Sequence, residues 1–208
     1  MTIATVEPVT AKLVVGRGGG GPAPTRTVVA YGFWIFLLSD FVLFSALFAT
    51  YAVLSGATAG GPSGLDLFDL RSVFFGTMCL LVSSYSCGLG MLSAERGQLG
   101  RFYFSAIFTV GLGLAFLVNE MSEFAGMVSR GAGPSRSAFL SAFFTLVGTH
   151  GAHVATGLLW FGYMLAQVKV KGLRPRVLRR LQCFSLFWHA LDIVWIGVLT
   201  LVYLMGAR

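Results

Sequence analysis

Charge is scarce in this chain. Of its 208 residues only 11% are Asp, Glu, Lys or Arg, whereas 56% are apolar and a further 27 are glycine. Soluble domains carry about a quarter charged residues. With a mean hydropathy of +0.80, folding in water would leave much apolar surface exposed, a cost that a bilayer removes. A free soluble enzyme, a disordered chain and a secreted disulfide scaffold are thereby excluded. Cysteine is also sparse: Cys79, Cys87 and Cys183 lie in apolar runs without C-x-x-C spacing. Zinc, an iron–sulfur cluster or a redox pair therefore lack a ligand set, and the thiols read as small buried apolar groups. The six prolines fall in the N-terminal segment and between apolar runs, which leaves each run free to be helical.

Long apolar sequence is what the chain has in abundance. Five runs reach the roughly 20 residues that a helix needs to cross a bilayer: Val28 to Leu54, Leu67 to Leu92, Phe102 to Val128, Ala138 to Val168 and Leu181 to Met205. The expected fold class is all-α, a polytopic membrane bundle of five transmembrane helices over residues 28–206. Residues 1–27, with Gly16-Arg17-Gly18-Gly19-Gly20-Gly21-Pro22, are expected to form a flexible tail. They do not read as a signal peptide, because no apolar core lies near Met1. The connections Gly56 to Asp66, Glu95 to Gly100, Gly131 to Arg136 and Lys169 to Arg179 are too short to house a soluble domain.

Basic residues set the orientation. The tail and the second and fourth connections hold Lys12, Arg17, Arg26, Arg96, Arg101, Lys169, Lys171, Arg174, Arg176, Arg179 and Arg180, eleven of the fifteen Lys and Arg, against Arg71, Arg130, Arg136 and Arg208 on the other side. By the positive-inside rule the N-terminus is cytoplasmic and, after five crossings, the C-terminus lies outside. The basic excess is thus a topology signal, and no aromatic-interleaved basic face suggests nucleic acid. Lys169, Lys171, Arg174, Arg176, Arg179 and Arg180 are expected to hold anionic lipid head groups, each worth about 1 kcal/mol.

Ionisable groups inside a span are costly and mark candidate sites. They are Asp40 in the first span, Glu120 and Glu123 in the third, His150 and His153 in the fourth, and His189 and Asp192 in the fifth. The last six form pairs three residues apart, a spacing that puts both members on one helix face. Three readings stand: a hydrogen-bonded network that orients helices, a di-metal carboxylate centre, and proton handling. The di-metal reading lacks the Glu-x-x-His order of such bundles. Depth also opposes it, since at 1.5 Å per residue Glu120 and Glu123 fall about 8 to 12 Å from the outer end and the histidines about 18 to 24 Å. Asp40, among Phe36, Leu37, Phe41 and Phe44, sits where charge is opposed unless a partner intervenes. Three histidines cannot serve two haems and a copper centre. Gly111, Gly113, Gly148, Gly151 and Gly157 allow helices to approach closely, and Trp160, Trp188 and Trp195 need partners for their indole N–H groups.

Two motifs add a resemblance. Gly148-Thr149-His150-Gly151-Ala152-His153-Val154 resembles the G-x-H-G-x-H-V motif of subunit III of the haem–copper respiratory oxidases, and Phe187-Trp188-His189-Ala190-Leu191-Asp192-Ile193-Val194-Trp195 resembles its aromatic-W-H-x-x-D-x-V-W motif. Ser122-Glu123-Phe124 is similar to the family's Ser-Glu-Tyr, and Ser39-Asp40 also matches. Gly32-Phe33-Trp34-Ile35, Thr58-Ala59-Gly60-Gly61-Pro62, Phe139-Leu140-Ser141-Ala142-Phe143-Phe144 and Val202-Tyr203-Leu204-Met205-Gly206 narrow the likeness to the bacterial cytochrome o ubiquinol oxidase branch. Five spans match that branch, where mitochondrial-type relatives have seven. Asp40 stands where those relatives have Glu.

The resemblance implies a non-catalytic subunit of a multi-pass inner-membrane complex that oxidises ubiquinol, reduces dioxygen to water and pumps protons. It implies haem b, haem o and copper in subunit I rather than in this chain. It further implies packing on subunit I beside subunits II and IV, bound phospholipids, and support for assembly and sustained proton uptake. A subunit III of a bacterial cytochrome c oxidase is the alternative. Two readings from the residues remain beside it, a self-contained di-metal membrane enzyme and a proton-coupled transporter; the latter finds no repeated halves and no Pro-broken span.

Overall fold

The computed structural model describes residues 25–62 and 64–206. Residues 1–24 of the expected tail lie outside the described residues. The elements in chain order are α1 Thr25–Leu54, single-turn α2 Gly64–Leu67, α3 Leu70–Glu95, α4 Leu99–Ser129, α5 Ala138–Lys171 and α6 Pro175–Val198, and α6 runs on into a π-helical turn, Leu199–Leu204. No strand occurs among the described residues. Five helices are long and apolar enough to cross a membrane, with α6 and its π turn counted as one. The five-helix, all-α reading agrees with this.

Local chemistry explains where the helices begin and end. Asp69 caps α3, its carboxylate accepting the Arg71 backbone N–H at 3.0 Å, so the helix starts at Leu70 and leaves Leu67 in the preceding turn. Ser137 caps α5 through the Leu140 N–H at 3.2 Å. The fourth connection is far shorter than expected. Only Gly172 to Arg174 is non-helical, with Lys169 and Lys171 in the last turn of α5 and Arg176, Arg179 and Arg180 in the opening turns of α6. Lys and Arg are good helix formers, and cations at the end of α5 oppose its dipole. Gly172, at φ +69°, supplies the left-handed turn that ends α5. Pro175 then opens α6 at a position where its missing N–H costs nothing.

α3 and α4 form a hairpin with the most extensive helix contact of the molecule, while α1 packs on α5 and α6. α6 is central, touching α1, α3 and α5. Leu140, Phe143, Leu146, Val147, Val154 and Met164 line the core side of α5 and are fully buried. The Trp188 ring is wedged between two glycines. A Cβ on Gly113 would lie 2.9 Å from Leu158 Cδ2 and 3.1 Å from the ring, and one on Gly157 also 3.1 Å from it. This is the close approach anticipated from small residues.

Candidate functional site

The polar interior divides into three places rather than one. The first joins α1 to α5: Asp40 Oδ1 lies 4.0 Å from His153 Nε2, both side chains part-exposed. His153 Nδ1 is 2.7 Å from the Thr149 carbonyl. A carbonyl only accepts, so Nδ1 carries a proton and Nε2 is the nitrogen that faces the carboxyl. At 4.0 Å the two groups face each other without a hydrogen bond. Asp40 also borders a crevice between α1 and α6, with Leu37, Phe44, Phe187 and Leu191 around it.

The second place is where α4, α5 and α6 meet. His150 is fully buried, stacked on Trp195 with centroids 5.1 Å apart, and edge-on to Phe116 at 5.8 Å. Neither ring nitrogen has a hydrogen-bond partner, and neither does either oxygen of buried Glu120. The Glu120 carboxyl instead presses on the α5 backbone, where a Cβ at Gly151 would meet its oxygens at 3.0 and 3.1 Å. The depth count placed this glutamate one to three turns from the histidines. In the structure its side chain reaches the residue next to His150, since a long Glu side chain spans about a turn of offset. Glu123, half-buried with Oε1 unpartnered, and Tyr203 lie within electrostatic reach of Glu120.

The third place joins α3 to α6. His189 Nδ1 and Ser84 Oγ are 2.6 Å apart, and Asp192 lies within reach of both His189 and Ser84, with its Oδ1 unpartnered. In the His150–His153 pair, His150 faces Phe116 and Trp195 and His153 faces Asp40, while Phe44 of α1 packs against both rings at 6.3 and 5.2 Å. Three-residue spacing sets a shared face, and each of these two pairs meets one common side chain of another helix, Ser84 or Phe44.

Several residues of this framework escaped a reading aimed at charges. Ser72 Oγ donates to Asn119 Oδ1 and Asn119 Nδ2 donates back to the Ser72 carbonyl, both at 3.1 Å. Ser86 and Ser105 each donate to the other's carbonyl, at 3.1 and 2.7 Å. Two of the three indoles expected to need partners find them on α3: Trp188 Nε1 donates to Ser83 Oγ at 3.1 Å and Trp195 Nε1 to Thr77 Oγ1 at 3.0 Å. The signal was present as Thr77, Ser83, Ser84 and Ser86 within one apolar run. At the end of the bundle that bears the second and fourth connections, Lys169, Lys171, Arg174, Arg176 and Arg180 are exposed and Arg179 half-buried, with Arg180 donating to Gln167 Oε1 at 3.0 Å.

No group of three or more His, Cys, Asp or Glu side chains is placed to hold a metal among the described residues. Fold and interior together define a multi-pass membrane helix bundle cross-linked by polar contacts. The family model described as cytochrome c oxidase subunit III matches residues 19–207, and the chain belongs to that family. It is 55% identical to the cytochrome bo(3) ubiquinol oxidase subunit 3 of Pseudomonas aeruginosa, over 85% of each chain. It is 49% identical to the protein of that name from Pseudomonas putida, over 84% of each chain. Identity to the quinol oxidase subunit 3 of Bacillus subtilis is 46%, over 84% of this chain and 86% of that one.

Proposed function

We propose that this chain is the non-catalytic subunit III of a proton-pumping ubiquinol oxidase, which oxidises ubiquinol and reduces dioxygen to water in aerobic respiration. The observation that carries the reading is similarity to quinol oxidase subunits at 46% to 55% identity over most of both chains. In this reading haem b, haem o and copper are held by subunit I. This chain packs against it beside subunits II and IV, in the inner membrane of a bacterium, with the N-terminus cytoplasmic and the C-terminus periplasmic. The uneven distribution of Lys and Arg supports that orientation.

The division of labour follows from the chemistry available. Asp40 and His153, two groups that can exchange protons, face each other at the α1–α5 contact, which suits a supporting part in proton uptake. His189 ties α6 to α3 through Ser84, and Glu120, Glu123, His150 and Asp192 are further polar groups of a low-dielectric interior, where a polar contact fixes helix orientation. Lys169, Lys171, Arg174, Arg176, Arg179 and Arg180 face the head-group level and attract anionic lipid.

The test is purification of the tagged chain in mild detergent. Expected are a co-purifying haem-bearing polypeptide, a haem absorption spectrum and oxygen uptake driven by ubiquinol. A monodisperse chain without haem in its company overturns the reading, and oxygen uptake driven by reduced cytochrome c but not ubiquinol replaces it with a cytochrome c oxidase.

A further inference from the structure

The outer face of the α3–α4 hairpin carries a groove of about 650 Å³. Tyr85 and Leu89 form one wall and Phe104 and Phe108 the other, all exposed, Phe104 by 77%. An apolar hollow continues it along α4 past Ile107 to Gly111, where a missing side chain leaves open space. The floor is the Ser86–Ser105 pair, whose hydroxyls are already engaged with each other's carbonyls. The hydroxyls of the floor therefore need no further partner.

Charge enters at one end only. Arg96, at the close of α3, and Arg101, in the first turn of α4, both line the groove and are exposed. Arg101 Nη1 donates to Gln98 Oε1 at 3.1 Å, which restrains the guanidinium at the turn. The nearest acid in sequence, Glu95, accepts from Gln182 Nε2 of α6 at 3.0 Å and so is drawn toward the bundle rather than to Arg96. No carboxylate lines the groove, and among the described residues neither arginine makes an ion pair.

We propose that this groove binds one anionic phospholipid, its phosphate between Arg96 and Arg101 and its acyl chains along Tyr85, Leu89, Phe104 and Phe108. Complementarity of charge and length supports this occupant. From Arg96 back to Val82 the groove runs roughly 20 Å at 1.5 Å per residue, enough for one leaflet of a hydrocarbon core about 30 Å thick together with its head group. Arginine offers a planar fork that matches phosphate oxygens. A packed protein helix is disfavoured, because the flanking ridges are large aromatic and aliphatic side chains rather than the small residues that let two backbones approach. The proposal needs only that the chain spans a membrane and is independent of its place in an oxidase.

The test uses the full chain carrying Phe104→Trp, reconstituted in phosphatidylcholine vesicles that contain increasing brominated phosphatidylglycerol or brominated phosphatidylcholine. Quenching of the chain without the new tryptophan is subtracted. Brominated phosphatidylglycerol is expected to reach half-maximal quenching at a mole fraction roughly tenfold lower than the brominated zwitterionic lipid. Arg96→Gln with Arg101→Gln should erase that preference, each single change should remove about a threefold part of it, and Arg96→Lys with Arg101→Lys should retain most of it. Equal quenching by the two lipids, or a preference indifferent to both arginines, overturns the proposal. So does loss of all quenching at this position in the purified assembly, which would show a protein covering the groove.

Discussion

Glu120 is 3% exposed and rests against a residue that has no side chain. Gly151→Ala would drive a methyl group to within 3.0 Å of its carboxyl, and overpacking of that kind costs about 1–3 kcal/mol. In a Glu120→Ala background the same change should cost under about 1 kcal/mol, because the obstructing group has gone. Thermal unfolding of the four proteins in one detergent measures the coupling; equal costs in both backgrounds would place the strain elsewhere. Asp40 sits in a looser setting. Its oxygen is 4.0 Å from His153, too far for a hydrogen bond, so Asp40→Asn, which keeps size and breaks no such bond, should lower stability by less than about 1 kcal/mol and leave assembly intact. A variant complex that fails to assemble would make the carboxylate an ionised structural partner. The candidate residues were legible in the sequence because charge within an apolar run stands out. Their partners were not: nothing local to His189 distinguishes Asp192, three residues away, from Ser84 on another helix.

At the scale of the element, glycines that look alike in the sequence separate by what faces them. Gly113 abuts Leu158 and Trp188, whereas a Cβ on Gly111 would meet nothing within 4 Å. Gly113→Ala should therefore cost about 1–3 kcal/mol by pushing α4 away from α5 and α6. Gly111→Ala should be neutral or stabilise by up to about 1 kcal/mol, through helix propensity alone. Chemical unfolding of the two variants side by side tests the pair, and similar losses would refute the wedge at Trp188. Helix ends were partly legible. Asp69 and Ser137 are ordinary capping residues, yet the apolar count extended the second span to Leu67, and the basic cluster Lys169 to Arg179 read as a loop. Hydropathy counts transfer from water to lipid and is silent on helix propensity, so charged residues that continue a helix past the hydrocarbon escape it.

For the whole molecule, an odd number of crossings places the two ends of the described chain on opposite faces of the membrane. Alkaline phosphatase fused after Met205 should be active, and the same reporter inserted at Gly97, between α3 and α4, should be inactive, since only export activates it. The reverse pattern would invert the bundle and sink the charge-bias argument. Gln182 of α6 bonding Glu95 of α3 at 3.0 Å puts the second and fourth connections at one end, so the two reporters test opposite ends of the same rods.

The sequence by itself determined that this is a membrane bundle of five helices, where its ionisable residues lie along each helix, and which family it belongs to. Those properties are one-dimensional: apolar run length, charge bias between runs and motif spacing survive without knowledge of neighbours. Tertiary structure alone decided that His153 meets Asp40, that Glu120 meets the backbone at Gly151, and that serines and threonines of α3 receive the indoles of α6. Such contacts depend on how each helix is rotated and which helix lies beside it. Burial of large side chains against small ones, summed over the whole bundle, sets that rotation, and no single segment encodes it.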